Sequence, residues 1–77
     1  MNEEPVVYHK DQPIWWHISA SQVKRPDFIP RQREWTAGWV KGVDKESSTV
    51  AIAIMDESRA LQTFIVPLTQ IRPRDIA

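Results

Sequence analysis

Between residues 34 and 73, apolar runs of strand length alternate with short polar turns. In order the chain reads EWTAGWVKGVD, KESS, TVAIAIM, DESR, ALQTFIV and PLTQIRP. Apolar positions at a spacing of two mark a strand that buries one face. The pattern therefore predicts a β-meander with strands over Trp35 to Val43, Thr49 to Met55 and Leu61 to Val66. Asp44 to Ser48 and Asp56 to Arg59 are the connecting loops. Pro67 stops the last of these strands, Leu68 to Gln70 has the length of one helical turn, and Ile71 to Pro73 is a short closing strand. Ahead of the meander, Asp11-Gln12-Pro13 is a turn signal and IWWHIS, Ile14 to Ser19, is the first strand. Ile14, Trp16 and Ile18 form its core face, with Trp15, His17 and Ser19 opposite. Thr49 to Met55 is apolar on both faces, as expected of a strand that is central or covered on its second side.

Two glycines serve the whole chain. Gly38, inside a strand, predicts a bulge, a bend or a close backbone approach, the kind of device that lets a small sheet curl. In the second strand, Trp35, Ala37, Trp39 and Lys41 fall on one face, and Thr36, Gly38, Val40 and Gly42 on the other. Residues 1–12 read as a partly disordered N-terminal arm in which Val6 to Tyr8 form a short strand or a pairing segment. Residues 13–77 read as the folded domain. The fold class is all-β, one small barrel of about five antiparallel strands with a long first loop.

That loop, SQVKRPDFIPRQR (Ser21 to Arg33), is the irregular part. Pro26 and Pro30 block helix and central strand alike. Lys24, Arg25, Arg31 and Arg33 face only Asp27, a local excess of three positive charges. Long irregular connections in compact domains are often functional.

Composition narrows the function. With 77 residues and no cysteine, neither a disulfide nor a thiolate metal site supports the fold. The four tryptophans each bury roughly 150–250 Å² and offset the short length. Trp16 and one of Trp35 or Trp39 are expected in the core. Adjacent Trp15 and Trp16 cannot both face inward, so Trp15 is expected at the surface, along with the indole the core does not use. Ten basic and ten acidic residues cancel, which argues against a nucleic-acid packaging protein. No apolar run approaches the length of a membrane span. MNEEPVVYHK has no apolar signal-peptide core, and the expected location is the cytoplasm. His9 and His17 have no metal-ligand spacing. No cysteine nucleophile or glycine-rich phosphate loop occurs, so neither an enzyme nor a bound cofactor or metal is expected.

The order of strand, long loop, three meander strands, one short turn and a short last strand resembles an SH3-like barrel. The stretches WTAGWV (Trp35 to Val40), VAIAI (Val50 to Ile54) and LTQIRP (Leu68 to Pro73) resemble the Tudor and agenet branch over about half the chain. That resemblance implies recognition of a methylated side chain in an aromatic cage. AIAIMDES departs from it by supplying no ring, which leaves Trp15, Phe28 and Trp35 to converge by way of the loop.

The residues point first to a non-enzymatic protein-interaction module, an adaptor or an inhibitor. It would dock a partner through Trp15, Phe28 and Trp35 with Lys24, Arg25, Arg31 and Arg33. Basic residues interleaved with rings also suit single-stranded nucleic acid, with Arg72 and Arg74, two apart, as a secondary basic patch. A third reading is a homo-oligomer with a tryptophan-lined pocket for a small ligand. The small apolar face of Ala51, Ala53 and Met55 offers a surface for self-association.

Overall fold

The computed structural model describes residues 7–20, 24–29 and 33–75. Five antiparallel strands form one sheet: β1 (Pro13–His17), β2 (Trp35–Asp44), β3 (Thr49–Met55), β4 (Leu61–Pro67) and β5 (Ile71–Pro73). Their order across the sheet is β4-β3-β2-β1-β5. A 3₁₀ turn over Ile18–Ala20 opens the long first loop, and another over Leu68–Gln70 precedes β5. The expected meander, the single turn and the short closing strand are all present. The first strand is shorter than expected, because the chain turns at Ile18. Val7 and Tyr8 form no strand; Tyr8 instead packs against the core and its hydroxyl donates to the Ile71 carbonyl at 3.2 Å. Val6 lies outside the described residues. Among the described residues, no helix is long and apolar enough to cross a membrane.

β2 serves two ladders. Its first half, Trp35 to Trp39, pairs with β1, and its second half, from Trp39 onward, pairs with β3. The sheet also curls. Trp16 of β1 stacks on Phe64 of β4 with ring centroids 5.6 Å apart. Those strands are three places apart in the sheet, and a flat sheet would separate them by about 14 Å at ~4.8 Å per strand. Curling puts Ile14, Trp16, Val40, Val50, Ile52 and Val66 in an interior that water does not reach.

The fate of the tryptophans corrects one expectation. Neither Trp35 nor Trp39 enters the core; both are half-buried on the opposite face of β2. The inward positions of this strand are Thr36, Gly38 and Val40. Trp16 fills the interior opposite Thr36, and small residues on β2 make room for it. Gly38 proves to be a close approach rather than a bulge. A Cβ built there would lie 2.6 Å from Ile54 Cδ1 and 2.8 Å from the Ala53 carbonyl oxygen. The bulge lies further along, where the register with β3 shifts between Val40 and Gly42. It moves the inward position from Gly42 to Val43, which packs against the core opposite Val50.

The β3–β4 turn is organised by one carboxylate. Asp56 Oδ1 accepts from the Ser58 amide at 2.9 Å, the Ala60 amide at 3.0 Å and the Ser58 hydroxyl at 2.7 Å. Its Oδ2 accepts from Gln62 Nε2 at 2.9 Å. All of these bonds favour the ionised form. Led by Gln62 and then the Ser58 hydroxyl, they hold the Asp56 carboxyl down at about 2, against an ordinary 3.8. A carboxyl depressed by folding stabilises the fold in full above its unfolded value and loses that contribution as pH falls through its folded one. The turn is therefore expected to stay intact at pH 4 and to loosen as pH falls from about 3.8 toward about 2. An NMR titration following the Ser58 and Ala60 amides checks this; a midpoint near 3.8 would contradict it.

Candidate docking face

The outer face of β1, β2 and β5 is built from alternate residues of three strands. His17 lies opposite Trp35, Trp15 opposite Ala37, and Pro13 opposite Trp39. On its other side Trp15 lies opposite Arg72. Strand alternation fixes this set, since Ile14 and Trp16 take the interior and Trp15 must face outward. Ala37, between Trp35 and Trp39, is the small residue that leaves room beside Trp15.

Two arginines near the C-terminus lie over these rings. The Arg72 guanidinium is 4.0 Å from the Trp35 ring centroid, while His17 meets that indole edge-on at 4.6 Å. The Arg74 guanidinium lies 5.6 Å from Trp15 and 5.3 Å from Trp39, between the two. Its Nε donates to the Ile14 carbonyl and its Nη2 to the Gly38 carbonyl, each at 3.3 Å. Each cation–ring contact contributes roughly 0.5–1 kcal/mol at an exposed site. The Arg74 contacts together fix the position of its charge. Among the described residues, no carboxylate pairs with Arg72 or Arg74. The face thus presents three half-buried indoles and two oriented cations.

The first loop is organised separately. Ile29 is buried in the core and Phe28 packs against it, so the loop caps one end of the sheet. Arg25 braces it, donating from Nη1 to the Arg33 carbonyl at 3.1 Å and from Nη2 to the Ser19 hydroxyl at 3.5 Å. Lys24 and Arg33 are exposed, and Arg31 lies outside the described residues. Phe28 and Arg33 join Trp39, Ala37 and Met55 around a cleft of about 240 Å³ where β2 and β3 part. A second cleft of about 370 Å³ lies between Asp27 and Phe28 of the loop and Asp56, Glu57 and Ser58 of the β3–β4 turn. That wall carries the carboxylates of Asp27, Asp56 and Glu57.

Of the residues singled out from the sequence, Trp15, Trp35, Arg72 and Arg74 come together on one face. Phe28 and Arg33 stand at the cleft beside it, and Arg25 supports the loop. Trp39 entered only as one of a pair with Trp35, of which the core was to take one, yet it is the indole shared by the Arg74 contact and the cleft. Its position two residues beyond Ala37 on the Trp35 face was the available signal. No protein-family model, no curated protein and no solved structure matches the chain.

Proposed function

We propose that the chain is an SH3-like barrel that works as a non-enzymatic protein-interaction module. Its outer β1–β2–β5 face docks an acidic segment of a partner protein. The SH3-like reading is supported by the strand order, by a β2 shared between two ladders, and by the single 3₁₀ turn before the last strand. The docking reading is carried by one observation: Arg72 and Arg74 are held over Trp35, Trp15 and Trp39 with no carboxylate partner among the described residues. Trp and Arg are the residues most enriched at the energetic centres of protein interfaces. Guanidiniums already oriented by rings and backbone carbonyls lose little freedom when a carboxylate binds.

Single-stranded nucleic acid is the weaker reading. Its bases need free ring faces, whereas Arg72 covers a face of Trp35. A phosphate backbone crossing the first loop would also meet Asp27, Asp56 and Glu57 beside Phe28.

The test is a two-dimensional NMR titration of the indole N–H signals. The probes are a synthetic peptide of alternating glutamate and leucine and, in parallel, single-stranded DNA. The peptide is expected to shift the Trp15, Trp35 and Trp39 signals and to leave that of the buried Trp16 in place. Trp15→Ala is expected to weaken peptide binding by about thirtyfold or more, the loss of a hot-spot residue worth ~2 kcal/mol. Lys24→Ala is expected to leave it nearly unchanged. DNA shifts that fade as salt rises and depend on Lys24 and Arg25, with no response to the peptide, would replace this reading with the nucleic-acid one.

A further inference from the structure

β4 leaves one edge of the sheet unpaired. It ends the sheet, and among the described residues no strand pairs with its outer edge. The Asp56 amide donates to the Ala60 carbonyl, and the Leu68 amide donates to the Ser48 carbonyl. These bonds fix the alternation: Gln62, Phe64 and Val66 direct their backbone groups toward β3. Leu61, Thr63 and Ile65 therefore direct their N–H and C=O groups to the free edge.

The same three residues project their side chains from the outer face, where Leu61 is 53% and Ile65 67% exposed. Met55, opposite Leu61 in register, is 48% exposed. Exposed apolar side chains thus cluster beside the unpaired edge.

Sheets normally protect such an edge with charge, proline or a bulge. β4 has neither charge nor a bulge along its paired length, and its one proline, Pro67, stands at the far end of the edge, beyond Leu61, Thr63 and Ile65. Its sequence, LQTFIVP, carries no charge and reaches proline only at its last residue. Its register with β3 runs unbroken from Met55–Leu61 to Thr49–Pro67.

We infer that β4 is a homodimer interface, in which it pairs antiparallel with β4 of a second copy about a twofold axis through Thr63. That register is self-complementary. Thr63 meets Thr63, and Leu61 of each copy meets Ile65 of the other. All three pairs fall in the class that exchanges two backbone hydrogen bonds each. Thr–Thr cross-strand pairs are favourable, and the Leu61–Ile65 pairs bury apolar surface. The uncharged strand brings no like charges together across the axis. The result is a continuous sheet across two copies, closed by symmetry so that it does not propagate.

The experiment combines sedimentation equilibrium with site-directed cross-linking of the full chain. The wild-type protein is expected to move with concentration from 9.0 kDa toward twice that mass. Ile65→Lys, at an exposed position, is expected to keep the circular-dichroism spectrum and to raise the dimer dissociation constant at least about tenfold. The twofold sets the two Thr63 Cα atoms about 5.5 Å apart, inside the range that a disulfide spans. Thr63→Cys, in a chain without cysteine, is therefore expected to form a disulfide dimer on mild oxidation. Ser47→Cys, in the β2–β3 loop beyond the end of β4 and off the proposed twofold, is expected to remain monomeric. A wild-type protein that stays at 9.0 kDa at every concentration would overturn the proposal. So would Thr63→Cys cross-linking no faster than Ser47→Cys.

Discussion

Replacing Trp16 with alanine is expected to leave the chain largely unfolded at room temperature. Trp16 is fully buried. It lies opposite Thr36 of β2 and Ile71 of β5, and stacks on Phe64 of β4 with the rings inclined by 29°. One side chain therefore touches both ends of the sheet and holds its curl. Truncating a buried tryptophan to alanine costs about 3–5 kcal/mol. A single core in a chain of this size rarely supplies more than about 3–5 kcal/mol in total, so the loss equals most of what is present. Trp16→Phe separates volume from polarity. It keeps a ring against Phe64 and removes the indole N–H, which has no hydrogen-bond partner among the described residues. A buried donor without a partner costs roughly 1–3 kcal/mol, so its removal offsets part of the lost contact. Urea unfolding followed by circular dichroism is the measurement. The expected order of stability is wild type, then Trp16→Phe, with Trp16→Ala last and without a cooperative transition. If Trp16→Ala lost less than about 1 kcal/mol, an ordinary surface-scale effect, Trp16 would not be the centre of the core.

The strands were legible in the sequence because each carries its own signal. Ile14, Trp16 and Ile18 alternate with polar or outward residues, and TVAIAIM is apolar on both faces because β3 lies between β2 and β4. Pro67 and Pro73 mark the ends of β4 and β5. What alternation alone could not decide was which face of β2 turns inward. Large indoles at Trp35 and Trp39 resemble core residues on hydrophobicity alone. The choice depends on the space left by Trp16 on the neighbouring strand, which is a tertiary fact. The docking face was half legible for the same reason. Arg72 and Arg74 share a face by spacing, and Trp15 faces outward by alternation, whereas the outward place of Trp35 follows only from the fold. That Arg74 lies between Trp15 and Trp39 depends on the β1–β5 and β1–β2 registers. No local pattern encodes those registers. The prominence of Lys24, Arg25 and Arg33 came from counting charge along the loop. In three dimensions Arg25 is spent on bracing that loop, and Asp56 and Glu57 approach it from a turn remote in sequence.

Gly38→Ala is expected to destabilise the fold and to disturb the docking face together, although glycine-to-alanine changes in strands often do the reverse. Alanine restricts the unfolded chain and ordinarily stabilises by about 0.4–1 kcal/mol where the backbone tolerates it. At Gly38 the backbone angle is no obstacle, since no glycine here has a positive φ. The obstacle is space. The new Cβ would meet Ile54 Cδ1 at 2.6 Å and the Ala53 carbonyl oxygen at 2.8 Å. The isoleucine methyl ends a side chain that is itself buried, and the carbonyl belongs to β3. Relief therefore requires β2 and β3 to move apart where Trp39 still pairs with Ala53. Overpacking of this kind costs about 1–3 kcal/mol. The Gly38 carbonyl also accepts the Arg74 Nη2 hydrogen bond, so displacing β2 moves the cation held between Trp15 and Trp39. Gly42→Ala is the matched control. A Cβ there meets nothing within 4 Å, so it is expected to leave stability unchanged or to raise it by up to about 1 kcal/mol. Urea unfolding of both variants, with the Trp15 and Trp39 indole signals recorded for each, gives the comparison. Equal stabilities for the two would show that β2 has slack at Gly38. A destabilised Gly38→Ala with unmoved indole signals would show that Arg74 does not depend on this carbonyl for its place.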